Sequence, residues 1–188
     1  MKKEIKKQIQ IKNKQKIDYK WIIKITLLAF VISIVFSSLS ESFVKNVNIF
    51  VAVLILIIFI FIGILFDMIG VAVTSADEGP FHSMSSRKVK GAKLAVKFKQ
   101  NADKVSSFCN DVIGDICGVV SGSCCITIAT NLSNSYNFNY LLCSLIVTSI
   151  VSALTIGGKA IGKNIAINKS DIILYKFCLF IEHFWKVK

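Results

Sequence analysis

The sequence predicts an all-α integral membrane protein, a bundle of about four transmembrane helices with amphipathic helices beside the membrane. Hydrophobic residues make up 54% of the 188 residues, more than a soluble domain with a polar surface contains. The chain has one proline. Because proline breaks helix interiors, its scarcity favours a mostly helical fold. The apolar residues concentrate in four long runs, each near the roughly 20 residues that cross a bilayer.

These four runs are the candidate transmembrane helices. The first extends from Trp21 to about Leu39, and its one interior charge, Lys24, lies near the start, where a long side chain reaches the headgroups. The other three cover about 47–66, 107–130 and 140–156. The third run differs from the rest because it contains two aspartates, and it is therefore the first place to look for a functional site.

Basic residues flank the four runs unevenly. They are frequent before the first run, from Arg87 to Lys104, and from Lys159 onwards, whereas the linkers 40–46 and 131–139 hold one lysine between them. Cytoplasmic flanks of membrane helices accumulate Lys and Arg. We therefore expect a multi-pass protein of the inner or plasma membrane of the cell, with both termini and the central basic segment in the cytoplasm.

The chain divides into three parts on this interpretation. Residues 1–20 form a basic cytoplasmic segment, residues 21–170 the transmembrane domain, and residues 171–188 an amphipathic C-terminal helix. Within the second part, residues 83–106 are predicted as a basic cytoplasmic helix, since Gly91 is their only breaker. Both amphipathic helices fit either a position on the membrane surface or packing against the rim of the bundle.

The formal net charge of +12 indicates the bilayer, and not a nucleic acid, as the partner. The lysines flank apolar runs, form no nucleic-acid recognition motif, and would face the anionic inner leaflet. No nucleophile elbow, P-loop, zinc pattern or dinucleotide fingerprint occurs, so we do not predict an enzyme. The six cysteines lie in apolar runs without a C-x-x-C pair, which predicts reduced packing residues and no covalently bound cofactor.

Asp111 and Asp115 are the strongest candidates for a functional site. They lie one helical turn apart in the third run, and a carboxylate at membrane depth costs a few kcal/mol unless it is paired, hydrated or bound to a cation. Asn110 precedes them, and three glycines follow at four-residue spacing, Gly114, Gly118 and Gly122. Small residues at this spacing allow close helix packing in lipid, so this helix is predicted to be surrounded by others.

A divalent cation would resolve the charge of two such carboxylates. Mg²⁺ takes one or two carboxylates together with other oxygen atoms and water, and the predicted ligands are Asp111 and Asp115, supported by Asn110 and Asp67. Two alternatives stay open. The carboxylates can share a proton, or the helix begins near Asn110 and Asp111 faces the headgroups.

The depth of Asp67 is also open at this point. About 20 residues counted from Val47 bring the second helix to Asp67, which would place it at the cytoplasmic exit. The apolar character continues as far as Val73, however. If the helix enters nearer Ala52, Asp67 lies towards the middle of the membrane.

Three short blocks resemble the transmembrane domain of CorB/CorC-type magnesium and cobalt transport proteins, which are related to the cyclin-M proteins. The blocks are Ala72-Val73-Thr74-Ser75-Ala76-Asp77, the pair Gly91-Ala92-Lys93-Leu94-Ala95 and Asn101-Ala102-Asp103-Lys104-Val105-Ser106-Ser107, and Gly158-Lys159-Ala160-Ile161-Gly162-Lys163. The resemblance covers roughly residues 49–170 and implies a helix bundle with a basic juxtamembrane belt. The cytoplasmic regulatory domains of the family have no counterpart in these 188 residues.

The family's cation ligands do not transfer one for one. Its glutamate in the last block corresponds to Lys159, for example, and its glycine-asparagine motif to Val112 and Ile113. The expected function is transport of a divalent, Mg²⁺-like cation through a midplane site on the polar third helix. The alternative is a non-transporting membrane scaffold or regulatory module that associates with a partner protein. A homodimer is compatible with either function.

Overall fold

The computed structural model describes residues 19–44 and 48–184, and within them the chain is helical throughout, with short turns. The predicted basic segment up to residue 18 and the last four residues of the predicted C-terminal helix lie outside these ranges. The helices are α1 Tyr19–Val44, α2 Ile49–Ser75, α3 Glu78–Ser86, α4 Ala92–Gln100, α5 Ala102–Ser107, a π-helical segment Phe108–Ile113, α6 Gly114–Tyr136, α7 Tyr140–Asn168 and α8 Ser170–Phe184.

The prediction of four transmembrane helices is confirmed. In the described part of the chain, four helical stretches are long and apolar enough to cross a membrane, Tyr19–Ser38, Ile49–Ser75, Ala102–Tyr136 and Tyr140–Asn168. Large apolar side chains on them are widely exposed, among them Ile23 (66%) and Leu154 (60%). Such a surface is unfavourable in water and indicates that lipid surrounds the bundle.

Helix α2 is the centre of the bundle, in contact with α6 and α7, while α1 packs against α6. Small residues allow these close contacts. A Cβ atom built on Gly63 would lie 3.2 Å from the Cβ of Cys117, and one built on Gly162 would lie 2.7 Å from Cγ of Met68. The main apolar cluster joins α2 to α6 through Ala52, Leu56, Val120, Cys124, Cys125 and Ile128.

Residues 83–106 do not form the single helix that was predicted. The chain turns between α3 and α4, where Lys88 and Gly91 both have positive φ, 56° and 79°. Glycine adopts this conformation at little cost, and the Gly91 N–H donates to a carboxylate oxygen of Glu182 in α8. Helix α5 then continues through the π-helical segment into α6.

Helices α3, α4 and α8 pack against the end of α2. A second apolar cluster joins them, consisting of Val73, Ala76, Phe81, Leu94, Ala95, Leu174 and Cys178. Lys99 donates to the carbonyl oxygens of Val73 and Thr74 at 3.3 and 2.7 Å, which places a positive charge at the C-terminal end of α2. Of the two positions left open for the amphipathic segments, the structure therefore favours packing against the rim of the bundle.

The cysteines behave as predicted. All six lie within the described residues and none is in a disulfide; five are buried and Cys143 is half-buried. Burial raises the pKa of the Cys178 thiol in α8 to about 12, and nearby Glu182 adds to the effect. This thiol therefore stays neutral at physiological pH and acts as a packing residue.

Candidate functional site

The lysine-rich end of the bundle holds the candidate site. We call it the basic end: there the C-terminal part of α2, the π-helical segment and the C-terminal part of α7 meet. Asp67 is the nineteenth residue of α2, so it lies about 27 Å along the helix at 1.5 Å per residue. It therefore lies in the half of α2 that leads to the basic end.

Asp67 is the one buried carboxylate among the described residues, with a relative exposure of 5%. Its Oδ2 atom lies 3.6 Å from Nζ of Lys163 on α7. This separation is too long for a hydrogen bond, and Oδ2 has no hydrogen-bond partner among the described residues. The side chain of Lys163 is about half exposed, at 51%, so it neutralises the carboxylate from the edge of the site.

The close contact between α2 and α7 explains why Lys163 reaches Asp67. Gly158 and Gly162 face Ile64 and Met68 of α2, and a methyl group on either glycine would overlap those side chains. Because only hydrogen occupies these positions, the two backbones approach closely. Lys163, the neighbour of Gly162, is thereby carried to the buried carboxylate.

Asn110 supplies a second oxygen atom beside the same helix. Its amide lies over Gly70, where a Cβ atom would fall 2.7 Å from Cγ of Asn110. The Nδ2 group contacts Oγ of Ser106 at 3.4 Å, but the buried Oδ1 atom has no donor among the described residues. Positions three apart on a helix face are about 5–6 Å from each other, so this amide lies roughly one helical turn from Asp67.

The π-helical segment sets the direction of Asn110. A π-turn contains one more residue than an α-turn, and such segments occur frequently at functional sites. Asn110 lies in this segment and faces Gly70 of α2, while Asp111, the next residue, is exposed. The hydrophobic pattern of the sequence does not indicate this break in the α-helical register.

We expect Gly70→Ala to disturb the site and to lower the stability of the protein. The added methyl group would overlap the Asn110 amide, and overpacking of this kind costs about 1–3 kcal/mol. Thermal unfolding of the purified protein would measure the change. Gly79→Ala is the matched control, since no atom of the described chain lies within 4 Å of a Cβ atom there. Equal losses of stability in both variants would contradict this account of Gly70.

Asp111 and Asp115 lie on a different surface from Asp67. Both are exposed and line a cavity of about 330 Å³ against α1, together with Trp21, Ile25 and Thr26. Asp115 precedes the far end of α6, Tyr136, by about 31 Å of helix, which brings it to the boundary of the hydrocarbon. This geometry is compatible with the alternative in which Asp111 faces the headgroups.

The four predicted ligands differ in their surroundings, since Asp67 is buried whereas Asp111 and Asp115 are exposed beside α1. Within the described residues, no three side chains of His, Cys, Asp or Glu come close enough to hold a metal ion together. Asp67 and Asn110 belong to one location, and Asp111 and Asp115 to another. The hydroxyl of Thr74 donates to the carbonyl oxygen of Val71 at 2.9 Å.

Close helix packing through Gly118 and Gly122 was predicted and is wrong within one chain. No atom of the described chain lies within 4 Å of a Cβ atom built at either position, and both glycines are exposed. They border a groove between α6 and α7. The glycines that do bring helices together are Gly63, Gly158 and Gly162.

The buried oxygen atoms of Asp67 and Asn110 have the chemistry of a hard-cation site. Mg²⁺ keeps several water molecules and binds through one or two carboxylates with other oxygen ligands. One carboxylate and one amide oxygen match this pattern of protein ligands. Sequence reasoning found both residues but not Lys163, Gly70 or Gly162. The signal for Lys163 was its position one turn after Lys159 at the end of an apolar run.

Comparisons of the chain with known protein families, with curated protein sequences and with solved structures find no match.

Proposed function

We propose that this protein transports a divalent, Mg²⁺-like cation across the membrane, and that Asp67 and Asn110 bind the cation at the basic end. The observation that carries this proposal is a pair of buried oxygen atoms, Oδ2 of Asp67 and Oδ1 of Asn110, without a hydrogen-bond donor in the described chain. A buried acceptor without a donor is costly. A cation with its water molecules would satisfy both atoms.

Lys163 gives the site a second arrangement. Without a bound cation, its ammonium group neutralises Asp67 at 3.6 Å. When a cation enters, repulsion favours withdrawal of the ammonium group, and the flexible four-carbon stem of lysine allows it to turn towards solvent. Because the ammonium group of Lys163 can replace the cation beside Asp67, the site can release the cation again. Transport requires this release.

Asp111 and Asp115 then have a role outside the buried site. Exposed carboxylates raise the local concentration of cations near an opening and so increase the rate of association. They lie beside α1, apart from Asp67, so we assign them to attraction and not to coordination. On this proposal their neutralisation lowers the rate of transport more than the affinity for the cation.

The orientation is part of the proposal. Lys93 to Lys104, Lys159 and Lys163 accumulate at the basic end, and this supports a cytoplasmic location for it, with the protein in the plasma or inner membrane. In Ser135→Cys, at the opposite end of α6, an impermeant thiol reagent added to intact cells should label the new cysteine. Ser86→Cys, in α3, is the matched control and should react only after the membrane is opened. The reverse pattern contradicts this orientation.

The alternative is a membrane scaffold or regulatory module that transports nothing. The ion pair between Asp67 and Lys163 favours it, because a buried carboxylate with a permanent counter-charge can be purely structural. A Mg²⁺-sensitive dye enclosed in liposomes that contain the purified protein distinguishes the two functions. Entry of Mg²⁺ above protein-free liposomes supports transport. No entry, together with a thermal stability that ignores divalent ions, leads us to abandon it.

A further inference from the structure

A groove on the outside of the bundle has no role in the proposed transport. It lies between α2, α6 and α7, encloses about 280 Å³ and is open along one side. Gly114, Gly118 and Gly122 form its floor on α6, and Thr148, Thr155 and Lys159 border it on α7. It lies within the segments that are apolar enough to cross a membrane, so its open side faces lipid.

The surface of the groove is mostly apolar in spite of its threonines. The hydroxyl of Thr148 donates to the carbonyl oxygen of Ser144 at 2.7 Å, and that of Thr155 to Val151 at 2.8 Å. A hydroxyl that donates to its own helix in this way has no proton left to donate to a bound group. The glycines of α6 add no side chains, so the groove presents a smooth channel suited to a hydrocarbon chain.

One end of the groove carries a positive charge. The Nζ atom of Lys159 lies 3.8 Å from the position of a Cβ atom on Gly114, at the end where α7 crosses α6. Unlike Lys163, Lys159 has no carboxylate partner among the described residues. It is the twentieth residue of α7, about 28 Å from the start of that helix, which is the level of the headgroups in a core of about 30 Å.

The length of the groove fits one leaflet. From Thr148 to Lys159 the groove follows eleven residues of α7, or about 16 Å, close to half of a hydrocarbon core of about 30 Å. The groove is narrow, with a volume of about 280 Å³. A single acyl chain that extends from the headgroup level to the middle of the bilayer fits both dimensions.

We propose that this groove binds one anionic phospholipid from the leaflet at the basic end. One acyl chain lies over Gly118 and Gly122 between α6 and α7, and the phosphate pairs with Lys159. The acyl chain supplies contact area, and Lys159 supplies selectivity for the charge of the headgroup. This site is independent of the cation site, since it uses neither Asp67 nor Asn110.

The test compares two phospholipids with identical acyl chains. The full-length protein in detergent is titrated with phosphatidylglycerol or with phosphatidylcholine, and bound lipid is counted by native mass spectrometry. We expect about fivefold tighter binding of phosphatidylglycerol, the contribution of one lysine near an anionic group. Lys159→Gln should remove this preference and keep the weaker binding of both lipids, whereas the control Lys169→Gln should keep the preference.

A second pair of variants tests the place of the acyl chain. Gly118→Leu and Gly122→Leu should each block the groove and remove binding of both lipids, and Gly157→Leu, an exposed glycine outside the groove, should not. Equal affinity of the unmodified protein for the two lipids overturns the proposal, as does retention of the preference in Lys159→Gln. If the leucine variants convert a dimer to a monomer without loss of lipid, a second copy of this chain covers the groove and the proposal is wrong.

Discussion

Asp67→Asn is expected to abolish Mg²⁺ entry into liposomes and the stabilisation of the protein by Mg²⁺. The substitution keeps the shape of the side chain but removes the one buried carboxylate of the described chain. In Asp67→Asn a bound Mg²⁺ would be a buried charge without its carboxylate partner, which costs several kcal/mol. The apparent affinity for Mg²⁺ should therefore fall about a hundredfold. Dye fluorescence in liposomes and thermal unfolding over a Mg²⁺ series measure the two effects.

Asp103→Asn is the matched control for this experiment. Asp103 lies in α5 and is exposed, so its removal changes the net charge by the same amount without reaching the site. We expect normal Mg²⁺ entry in this variant. Entry at the normal rate in Asp67→Asn as well would refute the assignment of Asp67 as a ligand, even if the protein proves to be a transporter.

Asp111→Asn and Asp115→Asn serve as a comparison within the same assay. Because both carboxylates are exposed beside α1 and apart from Asp67, we expect slower entry at low Mg²⁺ and near-normal entry at saturating Mg²⁺. Screening by salt should reduce this difference, since exposed charges act through solvent. The affinity of the buried site at Asp67 for Mg²⁺ should depend less on the salt concentration.

The transmembrane helices could be predicted from the sequence because their signal is long and local. An apolar run of about 20 residues has few stable alternatives to a membrane helix, and all four runs are helical in the structure. The ends of these helices could not be predicted in the same way. Helix α2 continues to Ser75, where Val73 shares an apolar cluster with Leu174 and Cys178, residues that are distant from it in sequence.

The candidate site could be predicted by residue type but not by grouping. Asp67 and Asn110 stood out as polar residues in apolar surroundings, and both are at the site. Neighbouring residues of a helix point about 100° apart, so Asn110 and Asp111 face different sides, and which of them meets α2 follows from the tertiary fold. Lys163 reaches Asp67 through close packing at Gly162, and such a contact between α2 and α7 follows from the tertiary fold alone.

The three evenly spaced glycines of α6 illustrate the same limit. Their spacing indicates a surface for close approach, but it does not identify what approaches. Within the described chain, Gly118 and Gly122 border an open groove, whereas Gly158 and Gly162, which are also four residues apart, pack against α2. Spacing alone therefore does not distinguish glycines that pack against another helix of the chain from glycines that border a groove.

Lys163→Gln is expected to have the opposite effect to Asp67→Asn and to tighten the binding of Mg²⁺. In the structure the ammonium group lies 3.6 Å from Oδ2 of Asp67, in the space that a cation would need. A unit charge at about 4 Å contributes about 1 kcal/mol at the dielectric constant of water, and about twice that towards a divalent ion. Since Lys163 is half exposed, this aqueous limit applies, and we expect the affinity to rise about thirtyfold.

The same substitution should also make the protein dependent on divalent ions. Without Mg²⁺, Asp67 in Lys163→Gln has lost its counter-charge, so the protein should unfold at a lower temperature than the unmodified protein, and addition of Mg²⁺ should restore stability beyond the normal extent. Lys159→Gln, one turn earlier on α7 and facing the lipid groove, controls for the loss of a lysine. If Lys163→Gln lowers stability and Mg²⁺ restores none of it, the ion pair is structural, and the scaffold function becomes the better account of this buried carboxylate.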